Sequence, residues 1–416
     1  MQSSMTHGQA SVIEQVFQTT CCIVGGGPCG AMLALLLARQ GISVTLLEAH
    51  TDFDRAFRGD TLHPSVLHIL DEIGLSERVL QLHHSRIRQL GFQTPAGKTL
   101  TMVDFDALSH DRYGFIAIVP QAAFLDFIVA EAKKYAHFQL VMGAQVDELL
   151  EVDGQVAGVR YRGLEGRCEV RAVLTVGADG RFSRLRKLAG FKPIRTSPPM
   201  DVLWLRLSRR AGDPAMAFGR FAPQRIVAVI NRDDYWQIGC VIPKGHYQQV
   251  RAAGIEHFRD SLAGIIPELA DRLDGLQNWQ QVSVLSVESD RLPRWYRPGL
   301  LLIGDAAHVM SPVGGVGINY AIQDAVVASN VLGGKLKYGV AQLQDLARVQ
   351  RQRQFPTRFI QLFQAILQKN VLSVALNRQQ REAPLFMRIM AHIPMANRIA
   401  AHVIGYGIKR VHVKAL

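Results

Sequence analysis

Residues 21–48 read CCIVGGGPCGAMLALLLARQGISVTLLE. An apolar run ends at Val24, Gly25, Gly27 and Gly30 form G-x-G-x-x-G around Pro28, Ala31 to Gln40 reads as a helix, and Ile42 to Leu47 as a second strand ending on Glu48. A lone glycine turn says little. Strand, turn, helix, strand and terminal acid in this order predict a dinucleotide-binding βαβ unit. Gly25 permits the tight turn, Gly27 lets the backbone approach a pyrophosphate, and Gly30 allows close helix packing, so the free N–H groups of the helix start face the phosphates. Glu48 is placed to accept both ribose hydroxyls and would repel a 2′-phosphate. The adenosine half is therefore that of FAD or NAD, not NADP.

The rest of the composition is that of a globular protein. With 416 residues, 48% hydrophobic and 20% charged, the chain is long enough for two or three units sharing substantial cores. No apolar run approaches the roughly 20 residues of a membrane-spanning helix. The opening MQSSMTHGQASVIEQVFQTT lacks the basic start and apolar centre of a signal peptide. It reads as a flexible leader over residues 1–19 of a cytoplasmic protein. Cys21, Cys22, Cys29, Cys168 and Cys240 form no C-x-x-C, so buried thiols in a reducing compartment are expected, with no disulfide and no metal site. Of the net charge of +12, residues 345–416 carry +10, twelve Lys and Arg against Asp345 and Glu382. That tail is either a solvated basic face or a contact for an anionic surface. No nucleic-acid motif accompanies it.

Taken in order, the loop after Glu48 carries Arg58 beside Gly59, where a cation would meet a diphosphate, and leads into a helix with Val66, Leu67, Ile69, Leu70 and Ile73 on one side. Ile87 to Val103 reads as a hairpin about Pro95-Ala96-Gly97, outside the nucleotide fold. A helix follows Pro120 with Gln121 in its first turn, then short strands from Phe138 to Arg171 with a turn at Asp153-Gly154. AVLTVGADGRFSRLRKLAG delivers Asp179 and Gly180 from a buried strand to a loop before a basic helix. Residues 196–290 are strand-rich and close with an amphipathic helix around His257 to Leu273, an antiparallel sheet suited to covering an organic substrate. GLLLIGDAAHVMSPVGGVGINYAIQDAVVASNVL, residues 299–332, repeats the logic of the first motif: a buried strand ending at Gly304-Asp305, then Pro312, Gly314, Gly315 and Gly317 before a helix carrying Asn319 and Asp324. Its glycines admit a flat ligand, and its helix start stabilises negative charge. The tail is helical, with Phe355, Phe359, Leu362, Phe363, Ile366 and Leu367 on one face and a second apolar-basic segment broken at Pro394.

Three stretches, GGGPCG with Glu48, GADGRFSRLRK, and IGDAAHVMSPVGGVGIN followed by QDA, together resemble the FAD-dependent monooxygenases of the para-hydroxybenzoate hydroxylase type, the single-component aromatic hydroxylases. The likeness runs to about residue 350. It implies an α/β fold: a Rossmann-like FAD-binding domain over 20–85, 112–195 and 291–335, an inserted antiparallel β-sheet substrate domain over 86–111 and 196–290, and a C-terminal helical segment over 336–416. It further implies that Glu48 binds the adenosine ribose, that Arg58 and Gln121 contact the pyrophosphate and ribityl region, and that Asp179 with Gly180 forms a motif serving both FAD and NAD(P)H. Gly304 and Asp305 would hold the ribityl chain. Gly314, Gly315, Gly317, Ile318 and Asn319 would lie against the isoalloxazine ring, and Pro312 would border the cavity where oxygen reacts.

The family's chemistry would then be NADPH or NADH reducing FAD, and O2 forming a C4a-hydroperoxyflavin that hydroxylates an aromatic or polycyclic substrate. Pro312 and Gly314 stand as the ring environment of catalysis. No general base is assigned, with His63, Tyr113, Tyr235 and His308 as bare candidates. The expected partners are a small aromatic or lipophilic molecule and O2, with a monomer or homodimer and a peripheral membrane contact through the basic tail. A halogenase would carry W-x-W-x-I-P, whereas YWQIGCVIPKG spaces Trp236, Ile242 and Pro243 differently. The alternative is a flavin-dependent reductase of an isoprenoid or lipid-like substrate. A flavin-binding regulatory protein is the reading outside enzymes.

Overall fold

The computed structural model describes residues 13–54, 60–94, 98–108, 110–164, 166–196, 198–213, 217–222, 225–375 and 385–415. At its centre the strand Ile13–Val24 runs parallel to Gly166–Gly177 on one side and Val44–Glu48 on the other, with Leu300–Leu302 and Phe138–Met142 continuing the parallel order outward. Parallel neighbours need a crossover, and the helix Pro28–Arg39 supplies the first one. Its residues Cys29 to Ala38 are all buried, as a helix covering a parallel sheet requires. The helix starts three residues before the expected Ala31, because Gly30 already belongs to it. Gln155–Gly163 extends the sheet antiparallel to Gly166–Gly177, Gln145–Val152 pairs antiparallel with Gln155–Gly163 in turn, and Tyr296–Arg297 closes the far edge.

The expected flexible leader is corrected over its last seven residues. Ile13 to Thr19 are the first part of the central strand, their backbone groups paired with Arg167 to Ala172. Five of the seven side chains there are exposed, the apolar Ile13 and Val16 among them, which hid a strand held by its backbone ladder. Residues 1–12 lie outside the described residues.

A second sheet has seven strands in the order Ser283–Ser286, Met200–Ser208, Tyr235–Pro243, Arg225–Asn231, Phe218–Ala222, Gln89–Gln93 and Thr99–Asp104. The hairpin and the strand-rich stretch thus join one sheet. It is not purely antiparallel, since Phe218–Ala222 pairs parallel with Gln89–Gln93. No short turn connects these distant segments, so none fixes their relative direction. The helix Ile255–Ile265 packs Phe258 and Leu262 on this sheet and stops before Pro267, after which a 3-10 turn carries Leu269 and Leu273 into the same cluster. The one long helix expected there is therefore two pieces, with the proline ring at the break.

In the tail, the helix Leu343–Ala375 lies against Gly317–Leu336, and the helix Pro394–Tyr406 docks on Thr99–Asp104, burying Ala401 and Tyr406. The last residues run back to the first domain, where Glu72 accepts from Val413 N at 2.7 Å.

The apolar face read for the long helix is only partly covered: Phe359, Phe363 and Leu367 are half-buried, Phe363 against the cluster of Met310, Val316, Tyr320 and Ile360. Phe355, Leu362 and Ile366 are 69%, 61% and 53% exposed, while Arg353, Thr357, Gln361, Gln364 and Gln368 are buried. The physical reason lies in what the helix covers. It sits on irregular backbone whose carbonyls need donors. Gln361 Nε2 donates to the carbonyls of Asp290 at 2.8 Å and Val309 at 3.0 Å, and Gln364 Nε2 to those of Ser311 at 2.9 Å and Val313 at 2.7 Å.

Candidate functional site

The carboxyl ends of the parallel strands carry the three motifs to one edge, the crevice where doubly wound sheets hold ligands. Val24 leads into Gly25, Glu48 ends its strand, Gly177 leads to Ala178 and Asp179, and Leu302 to Gly304. The contacts are close. A Cβ built on Gly25 would lie 2.5 Å from the Ala178 carbonyl and 2.7 Å from Asp179 Cα, and Gly25 has φ 106°. One on Gly30 would lie 1.9 Å from the Gly25 carbonyl oxygen. A Cβ on Gly27, by contrast, would meet nothing within 4 Å. The turn is thus packed from behind at Gly25 and Gly30 and open at Gly27, beside the free N–H groups of the helix start at Pro28.

Glu48 is buried at the floor of this opening. Its Oε2 accepts from Gly26 N at 2.8 Å, and its Oε1 is 2.6 Å from His50 Nδ1. Burial opposes its charge, but His50 and the backbone N–H groups of Gly26 and His50 outweigh burial and hold the carboxyl below its usual range. The site therefore offers an ionised acid beside an open glycine turn, the donor and acceptor set that an adenosine diphosphate requires. That pattern fits FAD.

Asp179 is occupied by its own loop. It accepts from Ser183 Oγ at 2.6 Å, Arg184 N at 2.6 Å and Leu185 N at 3.0 Å, capping the short helix Arg184–Leu188. Burial raises its pKa against those hydrogen bonds. Gly180, at φ 77°, has open space where a Cβ would stand. Gln121 opens the helix Gln121–Ala132, half-buried. Arg58 lies outside the described residues.

The second glycine turn runs from Pro312 through Gly314 at φ 79° and Gly315 at φ 63° to Gly317, which starts the helix Gly317–Leu336. Pro312, Gly314, Gly315, Gly317 and Ile318 are half-buried. Asn319 ties the turn to the strand Thr61–Leu62: Oδ1 accepts from His63 N at 2.8 Å, and Nδ2 donates to the carbonyls of Thr61 and Gly315. Thr61 Oγ1 donates to the Gly315 carbonyl at 2.9 Å. Gly304, at φ 59°, would place a Cβ 3.2 Å from Cys29 Sγ, so the turn with half-buried Asp305 rests on the first helix.

The four general-base candidates separate. His63 is fully buried against this turn, its Nδ1 2.8 Å from the Ile404 carbonyl, and burial pushes it down to about 4. Tyr113 donates to Asp71 Oδ1 at 2.7 Å and to Ser76 Oγ at 2.9 Å. Tyr235 lies on the second sheet beneath the Arg206 guanidinium. His308 is a core residue, its Nε2 2.6 Å from Asp324 Oδ2. Among the described residues, His83, Asp233 and Asp234 bring potential metal-ligand atoms together, all three exposed.

Sequence reading passed over the group around Asp324. Its Oδ1 accepts from Arg353 Nε at 2.6 Å and its Oδ2 from Gly304 N at 3.0 Å, all fully buried. Burial opposes the charge, and His308 and Arg353 overcome it, holding the carboxyl low. One acid thus joins the Gly304 turn, the second glycine helix and the tail helix. The available signal was an aspartate inside the apolar run QDAVVAS.

Residues 18–360 match the family described as FAD binding domain. The 6-methylpretetramide 4-monooxygenase of Streptomyces rimosus is 35% identical over 95% of this chain and 94% of its own length. A digeranylgeranylglycerophospholipid reductase of Methanocella arvoryzae is 26% identical over 78% and 80%. The crystal structure of P. aeruginosa PqsL in complex with 2-aminobenzoylacetate, at 21% identity, superposes with a TM-score of 0.74 over 87% of this chain and 98% of that one. With the glycine cradle, the ionised Glu48 and a near full-length relative in agreement, the chain belongs to the FAD-binding family of flavoprotein monooxygenases, with FAD as cofactor and NAD(P)H as co-substrate.

Proposed function

We propose that this monooxygenase hydroxylates a fused-ring phenolic substrate of the polyketide kind. The observation that carries this is the 35% identity, over nearly the whole of both chains, to a 4-monooxygenase of 6-methylpretetramide. In this reading Gly25, Gly27, Pro28 and Gly30 hold the pyrophosphate, Glu48 the ribose, Arg58 and Gln121 the diphosphate and ribityl region, and Gly304 with Asp305 the ribityl hydroxyls. Asp179 acts by shaping the Gly180 loop, since its carboxylate caps a helix. Pro312, Gly314, Gly315, Gly317, Ile318 and Asn319 form the wall for the flavin ring, and the seven-stranded sheet covers the substrate.

Bound FAD, once reduced by NAD(P)H, supplies the activation of O2. The chain's own residues bind, orient and exclude water. The positive N-terminus of the helix Gly317–Leu336 favours negative charge at the ring, and Asn319 keeps the turn at the distance that its three hydrogen bonds set. A cytoplasmic setting suits the five buried free thiols, Cys21 among them, pushed up to about 12 by burial.

The test is oxidation of NADH and NADPH by the FAD-loaded enzyme in air, with fused-ring phenols, simple phenols and an isoprenoid lipid, recording peroxide and product mass. Acceleration by a fused-ring phenol with little peroxide and a product heavier by one oxygen atom supports the reading. Acceleration by the isoprenoid lipid with gain of hydrogen instead of oxygen replaces it with the reductase, a reading favoured by the 26% likeness to a lipid reductase.

A further inference from the structure

The exposed side of the long helix leaves a surface that the monooxygenase reading does not use. At about 100° per residue, Phe355, Leu362 and Ile366 fall within a narrow stripe along the exposed side of Leu343–Ala375. Arg351, Arg358 and Lys369, all exposed, run along one flank of that stripe. The neighbouring tail helices, Leu385–Ala391 and Pro394–Tyr406, repeat the combination. Ile389, Met395 and Ile399 are 54%, 64% and 56% exposed, beside exposed Arg388 and Arg398. Phe363 of the long helix and Val403 of Pro394–Tyr406 both pack against the cluster of Met310, Val316, Tyr320 and Ile360.

We propose that this face is a docking surface for an anionic lipid bilayer, with the aliphatic and phenyl groups entering the headgroup boundary and the arginines and lysine reaching phosphates. Charge decides the occupant. From residue 346 to 416 the sequence holds twelve Lys and Arg and a single acid, Glu382, so a second copy of the face would bring like charges together. An interfacial surface instead combines large apolar side chains with cations whose stems lie along the apolar boundary. The connection 376–384, LNRQQREAP, offers Leu376 as its one large aliphatic side chain, too little to cover both stripes. Among the described residues no helix is long and apolar enough to cross a membrane, so the contact is peripheral.

Full-length, FAD-loaded enzyme is floated with vesicles of phosphatidylcholine alone and of phosphatidylcholine mixed with phosphatidylglycerol. Binding is expected to the anionic vesicles and to fall as salt is raised. The double variant Leu362→Ser with Ile366→Ser should lower partition at least tenfold, and Arg351→Glu or Arg358→Glu by roughly fivefold or more each. Flavin content and NADPH oxidation without lipid should stay at wild-type levels, since all four side chains are exposed. Protein that remains unbound to anionic vesicles at low salt overturns the proposal. So does a concentration-dependent dimer in sedimentation that the serine variants abolish while vesicles stay unbound, which would make the face a contact between copies. Equal binding to neutral vesicles, unaffected by the charge reversals, removes the anionic part of the claim and overturns it as stated.

Discussion

In the helix Pro28–Arg39 every residue from Cys29 to Ala38 is buried and none of those side chains carries nitrogen or oxygen, whereas the helix Leu343–Ala375 buries Arg353, Gln361, Gln364 and Gln368 and exposes Phe355, Leu362 and Ile366. Both serve the same site. The first covers strands whose backbone groups are already paired with one another, so apolar packing is what it can add. The second covers the Asp290 to Val313 backbone, where the carbonyls of Asp290, Val309, Ser311 and Val313 have glutamine amides as partners. A helix buries whatever its neighbour lacks.

The largest effect that comparison predicts lies at the start of the first helix. Gly30→Val would drive a side chain into the Gly25 carbonyl, 1.9 Å from the position of its Cβ, and nothing there is the flexible end of a side chain. Helix and strand must separate, at a cost beyond about 4–5 kcal/mol. Expression should give insoluble protein or protein without the visible flavin spectrum. A soluble, yellow Gly30→Val enzyme would mean that the close contact is not what holds the two elements.

Next comes the polar side of the second helix. Arg353→Met leaves Asp324 buried with His308 and the Gly304 N–H as its remaining partners, and removing one member of a buried pair costs about 3–5 kcal/mol. Denaturant unfolding at neutral pH measures it. The gap from wild type should narrow on acidification: Asp324 is held below its usual range, so its contribution is present above the unfolded pKa and is lost as the pH falls through the folded one. A gap that persists unchanged into strong acid would show that Arg353 acts by packing alone.

These contrasts mark what was legible. The pattern from Cys21 to Glu48 specifies strand, turn and helix because its glycines, apolar run and terminal acid all demand one arrangement, and the structure brings Gly25, Ala178 and Gly304 to one edge as that arrangement requires. The first part of the central strand escaped, since Ile13 to Thr19 are held by backbone pairing while five of their seven side chains are exposed and carry no periodic burial signal. Hydrophobic periodicity correctly found one face of the long helix but not its destination. That depends on whether the surface beneath presents side chains or bare carbonyls, and those carbonyls belong to a loop tens of residues away in sequence. The same distance hid the Asp324 group, whose partners His308 and Arg353 come from a loop and another helix.

The smallest effect is the sharpest discriminator, because it compares one chemical change in two settings. Leu33 is 1% exposed in the first helix and Leu362 is 61% exposed in the second. Leu33→Ala should cost about 2–5 kcal/mol, as lost transfer energy plus a cavity in close-packed surroundings. Leu362→Ala should change stability by no more than about 0.5 kcal/mol, read as an unmoved urea midpoint. If Leu362→Ala instead shifts the midpoint as far as Leu33→Ala does, that side chain is packed in solution against something that stays with the folded protein. The outward stripe would then be an inner face after all, and the two helices would follow a single rule.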